Sequence, residues 1–356
     1  MKTHNFSAGP SILPQSVIIN ASKKVLEFDN ELSILEISHR SNAFTDVMSE
    51  SISLVRDILN VPSNYSIMFL QGGASLQFCM VALNLLKKNN GSAAYLNTGT
   101  WSKKAIFEAK KFGEIEIVGD SSHKNFNYIP KDFKISDSHD YFHCTSNNTI
   151  YGSQINIFPE CNIPLVCDMS SDIFSRKIDI NKFGLIYAGA QKNLGPAGAT
   201  LVIVKDEILG KSERDIPSML DYRSHIDKKS MFNTPPVFSV YVSMLNLRWL
   251  KSKGGLDYIV KNNSRKSKIL YEEINRNSLF ETLISQEDQS KMNITFKLKD
   301  QKHKNLFEKI CTENKISGIN GHRSVGGYRA SLYNALPIES VNVLVNCMIN
   351  LEKNIA

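Results

Sequence analysis

The sequence predicts an α/β protein whose larger part is a mostly parallel β-sheet covered by helices. Three observations support this prediction. Short, fully apolar segments of strand length recur between residues 66 and 204. Segments with helical spacing of apolar residues alternate with several of them, and turn-forming residues separate the two kinds of segment. Except for residues 114–118, EIEIV, these segments lack the polar alternation of a half-exposed strand, as is typical of strands buried on both faces of a parallel sheet.

Seven short apolar segments carry this pattern, and we expect each to be a strand of the sheet. They are residues 66–70, 93–97, 114–118, 140–145, 164–168, 185–189 and 199–204. Helical patterns over 76–88 and 101–112 follow the first two segments after short turns. Ligands of such sheets collect where the strands end, so the residues that follow these segments are the first candidates for a functional site.

The remaining elements are predicted from the same periodicities. Before the sheet we predict a helix over 16–28, a short apolar strand in the segment 34–44 that leads into His39 and Arg40, and a helix up to Leu59. After it we predict helices over 235–253 and up to 277, strands at 294–298 and 328–333, a helix at 300–315 between them, and a last helix from 337. The change of pattern near Gly254 predicts a large domain over 16–254 and a smaller α+β domain over 255–356 that includes the N-terminal segment 1–15.

Composition narrows the class of protein. With 356 residues, 42% of them hydrophobic and 22% charged, the chain has the composition of a soluble globular protein. No apolar run reaches the roughly 20 residues that a membrane helix needs, and residues 1–14 lack the apolar core of a signal peptide. The six cysteines form no C-x-x-C pair, which predicts reduced thiols in a cytoplasmic protein and no metal site.

The net charge of +7 is spread along the chain and not gathered into one basic block. A nucleic-acid-binding protein would show a basic stripe interleaved with aromatic residues. We therefore expect neither nucleic acid nor membrane as a partner. A positive net charge suits small anionic substrates.

The segment GLIYAGAQKNLGPAG, residues 184–198, contains a lone lysine, Lys192, just after a predicted strand. Gly195, Pro196 and Gly198 favour an irregular tight loop and not a helix. A lysine held between small residues at the end of a buried strand loses solvation, which makes its neutral, nucleophilic amine accessible. The alternative is a lysine that only caps a surface loop.

Two further features follow predicted strands. Gly72, Gly73, Ala74 and Ser75 form a turn into a helix, and free backbone N–H groups at a helix start are suited to bind a phosphate. The alternative is a plain strand-to-helix turn. Trp101 begins the next helix, where its indole could stack on a flat ring, with core packing as the alternative.

Asp168 ends the apolar segment PLVCD. A carboxylate at the end of a buried strand is costly unless a positive group meets it. A protonated pyridine nitrogen would be such a group, and a structural salt bridge or a helix cap is the competing interpretation.

The order of phosphate turn, stacking ring, carboxylate and lysine resembles that of fold-type I pyridoxal-phosphate enzymes. Within this group, several segments resemble those of the phosphoserine aminotransferase family, a class-V aminotransferase family. They are FSAGPSILP, SHRS, QGGAS, NTGTW, AGAQKNLGPAG, NTPP and GHRSVGGYRASLYNA, which lie between residues 6 and 335. The resemblance therefore extends over essentially the whole chain.

The resemblance implies pyridoxal 5'-phosphate as the cofactor and a role for each matching residue. Lys192 would be the catalytic amine and proton carrier, and Asp168 would pair with the ring nitrogen. The residues implied in further cofactor contacts are Trp101 and Thr149 at the ring, Ala74, Ser75 and Gln191 at the phosphate, and Asn233 and Thr234 reaching the phosphate of a neighbouring subunit. This last contact implies a homodimer with its cofactor sites at the subunit interface.

The resemblance also implies an anionic substrate site. His39, Arg40, His322 and Arg323 match the family's basic cluster, and Arg329 matches the arginine that binds the α-carboxylate. Arginine is suited to this role because its planar fork can bind a carboxylate or a phosphate at two points. One departure weakens the match: many relatives have a lysine and a glutamate where this chain has Asn42 and Ala43.

The implied activity is reversible amino transfer from L-glutamate to 3-phosphohydroxypyruvate, which gives O-phospho-L-serine and 2-oxoglutarate. The resemblance leaves open whether a phosphorylated hydroxythreonine of pyridoxine biosynthesis is also a substrate. The alternatives are another enzyme of this fold, such as an alanine–glyoxylate-type transaminase or a cysteine desulfurase, and a non-catalytic protein that keeps the cofactor pocket. A desulfurase would need a reactive cysteine on a mobile loop, and none of the six cysteines is placed for that role.

Overall fold

The computed structural model describes residues 3–355. Its α-helices in chain order are α1 (Gln15–Leu26), α2 (Asn42–Leu59), α3 (Gly73–Leu85), α4 (Thr100–Ala109), α5 (Tyr222–Asp227), α6 (Val237–Ser252), α7 (Gly255–Arg276), α8 (Lys304–Glu313) and α9 (Ile338–Ile355). Its strands are β1 (His4–Asn5), β2 (Tyr65–Leu70), β3 (Ser92–Asn97), β4 (Glu114–Asp120), β5 (Tyr141–Thr145), β6 (Leu165–Asp168), β7 (Leu185–Gly189), β8 (Thr200–Lys205), β9 (Phe280–Thr282), β10 (Asn293–Leu298), β11 (Ile316–Ser317) and β12 (Tyr328–Ser331).

The seven apolar segments form one sheet with the strand order β2-β8-β7-β6-β5-β3-β4. The pairs β7–β6, β6–β5, β5–β3 and β3–β4 are parallel. Strand β8 runs antiparallel to both of its neighbours, β2 and β7. The predicted mostly parallel sheet is therefore confirmed, and its parallel strands β5, β6 and β7 end side by side.

Helices cover both faces of this sheet because successive side chains of a strand point to opposite faces. In β2, Phe69 belongs to a core cluster shared with α1, α2 and α6. Its neighbours Met68 and Leu70 belong to a second cluster shared with α3 and α4. Both clusters are buried, which explains why these strands are apolar at nearly every position and not at alternate ones.

The predicted strand at 34–44 is wrong. Ile37 donates a backbone hydrogen bond to Ser33 over 3.2 Å and Glu36 donates to the same carbonyl over 2.9 Å, so the segment turns back on itself. Ile34 and Ile37 are buried at a spacing of three residues, which a turn also provides. The last residues of the segment belong to α2, which is capped by Ser41: the Ser41 side chain accepts a hydrogen bond from the amide of Phe44.

The C-terminal part has a core of its own. Strand β10 pairs antiparallel with β9 and β12, and β1 pairs with β11. Residues of α7, α8 and α9 form a third apolar cluster against β10 and β12, and Phe6 from the N-terminal segment belongs to it. We propose that residues 16–254 form one domain and residues 255–356 with 1–15 form the other, a division that this separate cluster supports. Residues 1, 2 and 356 lie outside the described part of the chain.

Three features bear on the class of protein. Within residues 3–355 no helix combines the length and the apolar character needed to cross a membrane. The described side chains also contain no group of three or more His, Cys, Asp or Glu that could hold a metal ion. All six cysteines carry free thiols.

Candidate active site

A small cavity of about 120 Å³ lies where β5, β6 and β7 end. Its lining comes from five separate parts of the chain: Gly73, Ala74, Ser75, Trp101, Thr145, Asn147, Asp168, Ser170, Ser171, Gln191 and Lys192. The parallel arrangement of the central strands explains this convergence, because it brings their carboxyl ends to the same edge of the sheet.

Lys192 lies in the tight turn after β7 and points into this cavity. The amides of Lys192 and Gly195 both donate to the carbonyl of Ala190 over 2.7 Å, which closes the turn. The ammonium nitrogen Nζ donates to Oγ1 of Thr149 over 2.7 Å. Burial lowers the pKa of Lys192 to about 8; the charge of Asp168 opposes this shift and that of Arg329 adds to it. The ammonium form still predominates at neutral pH, but the neutral amine is far more populated than in a lysine with the ordinary pKa.

Asp168 ends β6 and is buried beside Lys192. Its Oδ1 accepts from the amide of Ser170 over 2.9 Å and from the Ser170 hydroxyl over 2.6 Å. Burial raises the pKa of the Asp168 carboxyl, and these two hydrogen bonds act against that rise. Among residues 3–355 no cation lies within ion-pair distance of this carboxylate. The cavity thus holds a buried carboxylate that a cationic ligand atom could pair with.

The turn between β2 and α3 forms one wall of the cavity. Gly72 and Gly73 have φ angles of +85° and +64°, which L side chains rarely adopt. Helix α3 begins at Gly73, and no side chain caps its first turn. The amides near Ala74 and Ser75 are therefore available to an anion, and the positive end of the helix dipole favours one.

Trp101 lies in the first turn of α4 and forms another wall. The Nζ atoms of Lys192 and Lys104 lie 6.0 Å and 4.8 Å from the centroid of its ring. Its indole nitrogen Nε1 is buried and has no hydrogen-bond partner. A half-buried aromatic ring in the wall of a cavity is suited to stack on a planar ligand.

Arg329 on β12 reaches the same site from the C-terminal part. Its Nη1 donates to the carbonyl of Thr149 over 3.2 Å, and its Nε is buried without a partner. Thr149 therefore contacts the lysine through its hydroxyl and the arginine through its carbonyl. This contact brings together residues 180 positions apart in the sequence.

His322 and Arg323 lie near Arg329 in the loop before β12. The Nδ1 atom of His322 is 2.7 Å from the hydroxyl of Ser324. Partial burial lowers the pKa of His322, and the charges of Arg329, Arg323 and Lys104 lower it further. Within the described chain no ion pair is formed by Arg323, Arg329 or Lys104. This group of positive side chains without a counter-charge is suited to bind an anion.

Eight of the predicted site residues do not line the Lys192 cavity of their own chain: His39, Arg40, Thr149, Asn233, Thr234, His322, Arg323 and Arg329. Thr149 still contacts Lys192 directly, and Arg329 contacts Thr149. His39 is buried with an unpartnered Nε2, and burial, followed by the charge of Arg40, lowers its pKa. Thr234 is exposed, and its carbonyl accepts a hydrogen bond from Gln71.

The structure also places residues in the site that sequence reasoning missed. Ser170 holds the Asp168 carboxylate, and Asn147 and Ser171 line the cavity. Asn147, Ser170 and Ser171 follow directly after β5 and β6, and this position could have identified them as site residues. Ligands of a parallel sheet bind at the carboxyl ends of its strands. Lys104 was also missed. It lies three residues after Trp101, and this spacing places both side chains on the same face of a helix, so Lys104 could have been predicted near the site together with Trp101.

Comparison with known proteins identifies the family. The family model described as aminotransferase class-V matches residues 3–344. The phosphoserine aminotransferase of Flavobacterium psychrophilum is 58% identical, with 100% of each chain covered. A solved phosphoserine aminotransferase, studied for radiation damage of its Schiff base, is 45% identical, with 99% of each chain covered and a TM-score of 0.96.

A second solved structure, the PLP-bound phosphoserine aminotransferase of Trichomonas vaginalis, is 36% identical with a TM-score of 0.93 and covers 98% of this chain and 100% of its own. These superpositions confirm the predicted fold class, a fold-type I transferase with a large sheet domain and a smaller α+β part. The chain belongs to the class-V aminotransferase family and, within it, to the phosphoserine aminotransferases.

Proposed function

We propose that this chain is a pyridoxal-phosphate-dependent transaminase that moves an amino group from L-glutamate to 3-phosphohydroxypyruvate. The products are 2-oxoglutarate and O-phospho-L-serine. The observation that carries the proposal is the buried Lys192 amine, held by Thr149 beside the Asp168 carboxylate in one small cavity. The names of the full-length relatives favour this activity over that of an alanine–glyoxylate-type transaminase or of a non-catalytic protein.

The residues of the cavity fit pyridoxal 5'-phosphate. The glycine turn and the first amides of α3 would hold its phosphate through Ala74 and Ser75, with Gln191 close by. Asp168 is a buried carboxylate without an ion-pair partner among the described residues, which suits a protonated pyridine nitrogen. When bound, this cofactor supplies an aldehyde carbon and an electron-withdrawing ring.

The roles of the cavity residues follow from their chemistry. Lys192 is the nucleophilic amine, and in its neutral form it can take a proton from the substrate Cα and release it again. Asp168 would keep the ring nitrogen of the bound cofactor protonated through its negative charge. Trp101 would stack on the ring and exclude water from one side. Thr149 orients Nζ of Lys192 through their hydrogen bond.

The positive side chains account for substrate binding. Arg329, fixed on Thr149, binds the α-carboxylate that all amino donors share. His322 and Arg323 bind the anionic group at the far end of the substrate, which is a phosphate in phosphoserine and a carboxylate in glutamate. One basic site can therefore serve both half-reactions.

We infer that the working unit is a homodimer. His39 and Arg40 of each subunit would complete the anion site of the other, and Asn233 and Thr234 would reach the other subunit's cofactor phosphate. Two observations support this inference: Nε2 of His39 is buried without a partner, and Asn233 and Thr234 are exposed on the surface of their own chain. A cytoplasmic location is proposed with it, which the six free thiols support.

The test of the function is a screen of single half-reactions. The cofactor-loaded protein is mixed with L-glutamate, O-phospho-L-serine, L-alanine or L-cysteine, and its visible absorbance is followed. We expect a fast shift with the first two donors and a slow one with alanine. A faster response to alanine or cysteine would favour one of the alternative enzymes, and no response to any donor would favour a non-catalytic protein.

The lowered pKa of Lys192 predicts a pH dependence. The rate at which cofactor-free protein captures pyridoxal phosphate should rise with pH, with the midpoint of the rise at about 8, because only the neutral amine reacts. Arg329→Gln removes a positive charge that lowers the pKa of Lys192, so the midpoint of the pH–rate profile should move to higher pH. Asp168→Asn should move it to lower pH. Lys103→Gln is the control, since Nζ of Lys103 lies over Phe126, 5.0 Å from its centroid.

A second prediction separates the two arginines. Arg323→Ala should weaken the binding of phosphoserine by roughly 30- to 4000-fold, because losing one partner of a charge pair that the bound substrate shields from water costs about 2–5 kcal/mol. Glutamate should lose less, since one carboxylate offers fewer acceptor oxygens, and alanine should change little. Arg329→Ala should impair all three donors alike. Equal losses for all donors in Arg323→Ala would contradict the phosphate role.

A further inference from the structure

A chain of buried hydrogen bonds joins the Lys192 cavity to the strand that carries Arg329. It begins at Asn147 in the cavity wall, whose Nδ2 donates to Oδ1 of Asn293 over 2.8 Å. Nδ2 of Asn293 then donates to the hydroxyl of Ser331 over 3.0 Å and to that of Tyr333 over 3.2 Å. All four side chains are at most 2% exposed.

Both ends of this chain lie beside residues of the site. Asn147 is two residues before Thr149, which binds Lys192 through its hydroxyl and Arg329 through its carbonyl. Ser331 is two residues after Arg329 on the same strand, and it pairs directly with Asn293 in the sheet register. The side chain of Asn293 is thus a second tie between the two segments, alongside the Arg329–Thr149 hydrogen bond.

The chemistry of Asn293 suits it to this position. Its amide has an acceptor oxygen on one side and a donor nitrogen on the other, so it bridges the two segments and leaves no charge buried. A fully satisfied buried network of this kind is rigid. Loss of the amide would free β12 to move relative to the cavity wall, while the apolar packing of the surrounding cluster would stay in place.

We propose that Asn293 is a positioning residue that holds the Arg329 guanidinium at a fixed distance from the Lys192 amine. It thereby sets where the α-carboxylate lies relative to the reacting carbon. The expected effect on substrate binding rests on the proposed transaminase function. The hydrogen bonds of Asn293 that support the positioning role are present in the protein without any ligand. Because every amino donor has an α-carboxylate, the residue acts on all donors equally.

The experiment is a double-mutant cycle on the L-glutamate half-reaction of the cofactor-loaded protein. Asn293→Ala should raise the apparent Kd for glutamate and for alanine by about tenfold each, within the range of coupling between neighbouring residues. In an Arg329→Ala background the same change should have little further effect, because the group that it positions is gone. Additive losses would overturn the proposal, since a merely structural residue weakens both backgrounds alike.

Asn277→Ala is the matched control. Asn277 is a buried asparagine of the same C-terminal part, and its Nδ2 donates to Glu273 over 2.8 Å and to the carbonyl of Met348 over 3.2 Å, away from the cavity. Its loss should lower thermal stability without changing the Kd of either donor. If Asn293→Ala does not fold, Ser331→Ala replaces it, because it cuts the same chain at the strand that bears Arg329.

A second readout does not depend on transamination. The charge of Arg329 lowers the pKa of Lys192, so displacement of Arg329 should move the pH midpoint of cofactor capture upwards. We expect this shift in Asn293→Ala and not in Asn277→Ala. An unchanged midpoint in Asn293→Ala would overturn the positioning role, whereas a wild-type protein without any glutamate half-reaction would overturn the proposed function alone.

Discussion

Replacing Lys192 with alanine is expected to abolish multiple turnover while leaving the fold intact. The side chain supplies both the nucleophilic amine and the transferred proton, and a positioned proton-transfer group alone contributes about 10²–10⁴-fold in rate. The loss should therefore be at least roughly 10⁴-fold. Steady-state assay of the glutamate–phosphohydroxypyruvate reaction measures it, with circular dichroism and the melting temperature as checks on folding.

Two companion measurements sharpen this result. Lys192→Arg should also be inactive, because guanidinium stays protonated and cannot act as the amine. A small alkylamine added to Lys192→Ala should restore part of the rate, since truncation leaves room for it in the cavity between Thr149 and Asp168. Wild-type turnover by Lys192→Ala would show that another group performs these steps.

Asp168→Asn is expected to bind pyridoxal phosphate and to slow both half-reactions by roughly 10²–10³-fold, the scale observed when one electrostatic partner of a transition state is removed. The neutral amide cannot keep the pyridine nitrogen protonated, although it still accepts hydrogen bonds from Ser170. Single-turnover rates at saturating cofactor measure the effect. Weaker cofactor association with unchanged chemistry at saturation would make Asp168 a structural carboxylate.

The Asp168 variants also provide a control for charge. Asp168→Glu keeps the negative charge, and it should retain more activity than Asp168→Asn even if its longer side chain fits less well. A variant series in which both substitutions fail to the same degree would indicate that shape, and not charge, is what the site needs at this position.

Local sequence was sufficient for the elements that build the sheet. The segments at 164–168 and 185–189 are apolar at nearly every position because both faces of the sheet are covered, and they appear in the structure as β6 and β7. The residues Gly195, Pro196 and Gly198 after Lys192 predicted an irregular turn, and such a turn is present. These features depend on interactions within a few residues of the chain, so a single stretch of sequence contains the information.

The same reasoning failed where packing decides the conformation. The segment 34–44 has the apolar content of a strand but no neighbouring strand to pair with, so its backbone hydrogen bonds are made within turns. Helix α3 begins at Gly73, earlier than the apolar pattern indicates, because the positive φ angles of Gly72 and Gly73 admit a helix start directly after the strand.

The site itself was decided by the tertiary structure. The family resemblance supplied the names of Lys192, Asp168 and Arg329, but the pKa of about 8 for Lys192 arises from burial and from charges that lie far away in the sequence. The contact of Arg329 with Thr149, and the tie through Asn293, join segments more than 140 residues apart. Such contacts follow from how the two cores pack against each other. No local periodicity encodes them, because a periodic pattern specifies which face of an element is buried and not which distant residue it meets.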